Sequence, residues 1–131
     1  GTSRAHLVRA ALEAMAFNSA ELLATMTGGD HLDVPTLRVD GGAAANDWLM
    51  QFQADILGIP VERPDMVETT ALGAAGLAGL AVGVWKTTNE FLAGRRFTRF
   101  EPRMNAIERE KLMAGWRRAV GAALAWARQS Q

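Results

Sequence analysis

Cysteine is missing from all 131 residues. Its absence excludes disulfides, thiolate metal sites and a cysteine nucleophile, and agrees with a reducing compartment. Net charge is missing too. Fourteen Lys and Arg balance fourteen Asp and Glu, so no overall field draws in nucleic acid or an anionic membrane. A long hydrophobic run is the third absence. The longest stretch without a charge covers residues 69–85 and is diluted by four glycines. Its apolar part falls short of the ~18–20 residues that a membrane-spanning helix requires. No charged-then-apolar leader opens the chain, so the expectation is a cytoplasmic protein without signal peptide or membrane insertion. What is present is ample apolar material: 49% of residues are hydrophobic, enough for the core of one domain.

Periodicity divides the chain into elements. In "HLVRAALEAMAFNSAELLATM" Val8, Ala11, Leu12, Met15, Leu22, Leu23 and Met26 recur at helical spacing, opposite Arg9, Glu13 and Glu21. Thr2 or Ser3 can cap this helix, and "TGG" (Thr27, Gly28, Gly29) supplies left-handed backbone at its end. "PTLRVD" alternates as a strand, with Leu37 and Val39 on one face. Asn46 then caps "DWLMQFQADIL", whose stripe is Leu49, Phe52, Gln53 and Ile56, with Gly58 as its stop. "IPVERP" reads as a short strand at an edge or rim, because a proline stands near each end.

The glycine-rich helix over residues 68–85 takes Thr69 or Thr70 as its cap. It is apolar nearly all round, which predicts burial on several sides. Gly73, Gly76 and Gly79 each cost about 1 kcal/mol of helix propensity relative to alanine, so another element should approach this backbone closely. "TTNEFLAG" is a short capped helix and "RRFTRFEP" is extended. A last helix runs over residues 105–129, with Met113, Trp116, Val120, Ala123 and Ala127 inward and Trp116 and Trp126 as core anchors. Two strands make a poor sheet. The fold class is therefore α/β with an incomplete sheet and several helices, part of a larger domain.

The join "RVDGGAAAND" holds the chemistry. Ligands of open α/β sheets collect where strands run into helix N-termini. Without β-carbons at Gly41 and Gly42, a flat ring or a phosphate can lie on backbone, and Asn46 offers a donor and an acceptor to an adenine edge. A glycine pair that only makes the turn, and an Asn46 that only caps, explain the same residues. Neither the P-loop nor the dinucleotide fingerprint is present. Asp40 could reach a ribose hydroxyl or a metal-bound water, but an Asx bond within the turn suits it better. "GRRFTRFEPR" mixes arginine with Phe97 and Phe100, a pattern of single-strand binders that the zero net charge disfavours. His6 and His31 have no neighbours at ligand spacing, so no metal site is expected.

"LRVDGGAAANDWLMQFQADILGIPVERP", followed by "ETTALGAAGLAGLAVGVW", resembles the C-terminal part of bacterial glycerol kinases. These belong to the FGGY carbohydrate kinases of the actin/hexokinase/heat-shock-70 superfamily. "HLVRAALE" is similar to the tail of the second FGGY signature, and the likeness continues through "FEPRMNAIEREKLMAGWRRAVGAALAW". The run "LMQFQADIL" is closer to glycerol kinases than to xylulose or ribulose kinases.

The resemblance implies that residues 1–131 are the C-terminal segment of the second of two domains, each an actin-like, ribonuclease-H-like ATPase fold. ATP with Mg2+ and glycerol would meet in the cleft between them. It implies a turn at Gly41, nucleotide against the Gly42 backbone and an Asn46 hydrogen bond near the adenine. The glycine-rich helix would pack beside the interdomain hinge. The catalytic aspartate, the phosphate loops and the glycerol-holding residues have no counterpart here, so the polypeptide alone is expected to be inactive. By the same resemblance the full-length enzyme is a homo-oligomer, and a regulatory protein docks near Glu108 and Lys111 in some relatives. Another sugar or polyol kinase, or a binding and scaffold remnant of the fold, are the alternatives.

Overall fold

Ser3 begins the first helix, α1 (Arg4–Thr27), with His6 Nδ1 accepting the Ser3 N–H at 3.0 Å, and Gly28 closes it at φ 74°. The elements that follow in this computed structural model are β1 (Leu37–Arg38), a one-turn 3-10 helix (Gly42–Ala45) and α2 (Asp47–Leu57). Then come β2 (Val61–Pro64), α3 (Thr69–Ala81), α4 (Thr88–Leu92), β3 (Phe97–Phe100) and α5 (Ala106–Gln129). The structure describes residues 1–28 and 34–129. His31 and the second glycine of "TGG", Gly29, lie outside the described residues.

The strands pair in the order β1-β2-β3, β1 parallel and β3 antiparallel to β2. "RRFTRFEP" therefore contributes a true third strand. The sheet is mixed, and β2 is its middle strand rather than an edge. Two facts reconcile this place with its prolines. Pro60 precedes the strand and gives only its carbonyl, to the Leu37 N–H at 2.9 Å. Pro64 is the last residue of β2, so no ladder donor is lost from the interior.

Helix α2 is the centre of the core. Leu49, Met50, Phe52, Gln53, Ala54, Ile56 and Leu57 are buried, and the stripe expected from spacing is all among them. The helix lies on Val61, which is fully buried, and receives α1 through Ala16, Phe17 and Ala20. Burying each large apolar side chain of this kind contributes ~1.5–3 kcal/mol. Phe17 joins the layers: its ring meets Phe52 edge-on at 5.7 Å and stacks on Trp116 of α5 at 5.4 Å.

Three expectations about burial do not hold. In α1 the buried face is that of Ala16, Phe17 and Ala20, while Val8, Met15, Leu22 and Met26 of the expected stripe are exposed. In α5 Met113 is buried and Trp116 half-buried, but Ala123, Trp126 and Ala127 are exposed. Most of α3 is exposed too, Leu77 at 71%, and only Gly76 and Gly79 are buried. One cause serves all three. Apolar periodicity marks a face that suits burial, and this chain carries partners for only some of its faces. Helix α3 also stops at Ala81, before the left-handed Gly83, and its N-cap is Glu68 rather than a threonine.

Candidate functional site

The join lies between β1 and α2, and its residues differ in what they demand. Gly41 has φ 81°, a region that side-chain-bearing residues rarely adopt, so its backbone alone requires glycine. Its N–H donates to the Val67 carbonyl at 2.9 Å, tying the turn to the segment before α3. Gly42 has no positive φ. A β-carbon built on it meets nothing within 4 Å. Neither backbone nor packing among the described residues explains a glycine there.

Asn46 caps α2: its Oδ1 accepts the Leu49 N–H at 3.1 Å. The capping half of the sequence reading is thus realised. One amide oxygen suffices for this, and the side chain keeps its Nδ2 donors on an exposed residue.

Asp40 does not make the expected Asx bond. Its carboxylate accepts the hydroxyl of Thr69 at the start of α3. Both this contact and the Gly41–Val67 bond tie the turn to the start of α3.

Arg63 was missed by sequence reasoning. It projects from β2 on the same face as buried Val61, with its side chain only 16% exposed. One nitrogen, Nη1, donates to the Ala44 carbonyl at 2.8 Å and to the Asp47 carboxylate at 2.7 Å. The guanidinium lies over the Phe100 ring, 5.3 Å from its centroid. The signal was available: period-2 alternation in "VERP" puts residues 61 and 63 on one face, and an inward arginine requires acceptors.

Some of the N–H groups at the join are taken. Gly41, Ala44 and Asn46 donate within the join or to Val67, and Leu49 donates to the cap. Asp40 and Asp47 flank it with negative charge. The join offers bare backbone at Gly42 and an exposed carboxamide at Asn46.

Elsewhere, several charges are engaged within the chain. On the opposite face of the sheet Glu62 accepts from Arg99 Nη1 at 2.8 Å and from Arg38 Nε at 3.3 Å. The Arg99 guanidinium above all, with Arg38, holds the Glu62 carboxyl below the ordinary glutamate value. Arg38 also covers Phe97 at 4.9 Å. Both phenylalanines of "RRFTRFEP" are thus faced by arginines of this chain, which leaves them poor platforms for bases. Among the described residues no group of three His, Cys, Asp or Glu could hold a metal ion. No helix among them is long and apolar enough to cross a membrane.

The family model described as the C-terminal domain of the FGGY family of carbohydrate kinases matches residues 1–82, the whole join included. The chain belongs to the FGGY family. It is 58% identical to the glycerol kinase of Dechloromonas aromatica, over 97% of this chain and 26% of the relative. It is 55% identical to that of Deinococcus radiodurans, over 100% of this chain and again 26% of the relative. The chain thus spans about a quarter of the length of the curated relatives it matches. Among solved structures it is similar to Plasmodium falciparum glycerol kinase with ADP, with TM-score 0.73 and 37% identity, covering 93% of this chain and 25% of that one. A ligand-bound xylulose kinase from Lactobacillus acidophilus shares the fold at TM-score 0.69 and 22% identity, over 95% and 26% of the two chains. The α/β class and the resemblance carried by the glycine join and "LMQFQADIL" both stand.

Proposed function

We propose that this FGGY chain is the C-terminal segment, residues 1–131, of the second domain of a longer ATP-dependent glycerol kinase. In this reading Gly41, Gly42 and Asn46 form part of its adenosine pocket. The observation that carries the reading is the contrast between the two glycines. Gly41 is required by its own φ, whereas Gly42 stands before open space. A ligand on the backbone gives the second glycine a reason.

The roles follow from the geometry. Gly41 sets the turn. Gly42 leaves room for a purine face. Asn46, held by its capping bond, presents Nδ2 to the ring edge. ATP brings the phosphoryl group to a terminal hydroxyl of glycerol, giving glycerol 3-phosphate and ADP. This chain holds the base end of the donor and none of the groups that act on the phosphates. The Mg2+ that accompanies ATP finds no carboxylate cluster among the described residues and falls to the remainder of the enzyme, as do the catalytic base and the glycerol site. The chain alone should therefore release no ADP when glycerol is added.

Glycerol is favoured over a pentulose as acceptor, because identity is 54–58% to bacterial glycerol kinases and 37% to the Plasmodium falciparum one, against 22% to the xylulose kinase. The same reading assigns the complete enzyme to the cytoplasm as a homo-oligomer. It places a regulatory docking surface near Glu108 and Lys111, which are exposed at the start of α5. The test is Gly42→Val in the full-length kinase. A β-carbon at Gly42 meets nothing within 4 Å in this chain, so an ATP KM raised at least tenfold with unchanged melting temperature supports the reading. An unchanged ATP KM refutes it.

A further inference from the structure

We infer that Arg63 is a positioning residue for the nucleotide: it holds Asn46 in register with Gly42 without touching the ligand itself. The inference rests on the adenosine reading above and goes beyond it by naming what sets the pocket's geometry.

The 3-10 helix Gly42–Ala45 ends where α2 begins, and Asn46 is the single residue between them. Such a junction is a natural hinge, because Asn46 is extended there, at φ −87° and ψ 104°. Arg63 bridges it. The two hydrogens of one nitrogen reach the Ala44 carbonyl on one side and the Asp47 carboxylate on the other. Both flanks of Asn46 are therefore referred to one rigid group on the middle strand. The guanidinium is itself fixed by its own depth and by Phe100 beneath it. Lysine cannot reproduce this, since its ammonium lacks the plane that stacks on Phe100.

Other links constrain the join less specifically. The Gly41–Val67 and Asp40–Thr69 bonds hold its entrance, before Gly42. The Asn46–Leu49 cap moves with α2. The Asn46 N–H donates to the Ala43 carbonyl at 3.2 Å, and among the described residues only the Arg63 bridge reaches from the turn to Asp47, the first residue of the helix. Losing it should let the carboxamide wander relative to the bare backbone while the core of α2 stays in place.

The experiment compares Arg63→Ala and Arg63→Lys with Gly42→Val in the full-length kinase, measuring KM for ATP, KM for glycerol and kcat. The inference predicts an ATP KM raised about five- to twentyfold in Arg63→Ala, with glycerol KM and kcat within about twofold, and only partial rescue by lysine. If Gly42→Val raises the ATP KM and Arg63→Ala does not, the inference fails and the adenosine reading survives. If Gly42→Val leaves the ATP KM unchanged, both fail. A loss spread equally over both KM values and kcat marks Arg63 as structural only and overturns the inference. Should Arg63→Ala not fold, Asp47→Ala decides. That side chain is 76% exposed, and its loss must raise the ATP KM selectively; an unchanged value overturns the proposal.

Discussion

Asn46 Oδ1 accepts the N–H of Leu49 at 3.1 Å, so the carboxamide proposed to meet a nucleotide is already the cap of the helix behind it. The two roles use different atoms, and substitution can part them. Aspartate keeps the capping oxygen and loses the donors. Asn46→Asp should leave the melting temperature within about 1 °C while raising the ATP KM severalfold in the full-length kinase. Asn46→Ala should also lose ~1 kcal/mol of stability. Thermal melts alongside steady-state kinetics check both. Equal ATP affinity in Asn46→Asp and wild type would show that the cap is the whole function of this side chain.

Glu62 makes stability depend on acid. Its carboxyl titrates below the ordinary 4.5 when folded, chiefly because Arg99 donates to it. The folded form therefore releases this proton more readily than the unfolded chain. The resulting stabilisation is complete above the unfolded value and fades as pH falls through the folded one. At neutral pH Glu62→Gln should melt below wild type, and the gap should close progressively as pH drops under 4.5. Melts of both proteins over a pH series test this. A gap that stays constant would mean that the carboxylate contributes shape, not charge.

The glycines of α3 should respond in opposite directions. A β-carbon at Gly76 would lie 2.5 Å from the Phe91 ring, and at Gly79 it would press on Trp85 more closely still. At Gly73 it would meet nothing within 4 Å. Gly73→Ala should stabilise this chain by ~0.5–1 kcal/mol through helix propensity alone. Gly79→Ala should destabilise it by ~1–3 kcal/mol, as overpacking against an indole outweighs that gain. Denaturant unfolding of the two variants decides, and equal effects would remove the close-approach explanation of these glycines.

These contrasts also mark how much was legible in the sequence. Helix α2 was readable from cap to stop because its signals are local: Asn46, a four-residue apolar stripe, then Gly58 at φ 70°. Close approach at the α3 glycines was readable for Gly76 and Gly79, because a helix carries such a cost only for a reason. The place of β2 was not, since prolines suggest an edge and only the pairing with β3, some thirty-six residues along, makes it central. The exposed stripes of α1 and α5 misled because periodicity records which faces are apolar, not which neighbours this chain supplies. In the candidate site, the glycines and Asn46 stood out by composition. Arg63 did not, because its partners are a main-chain carbonyl and a carboxylate sixteen residues away.

The central claim is that a purine rests on the backbone at Gly42 beside the Asn46 carboxamide. Its most direct test is a titration of the isotopically labelled chain with ADP, following the main-chain amides of Gly42 and Asn46 and the Asn46 side-chain NH2. The account predicts saturable shifts confined to these signals and their immediate neighbours, with weak affinity because the phosphate-holding loops lie outside the chain. Signals that stay in place at saturating ADP, or shifts centred elsewhere, would contradict it.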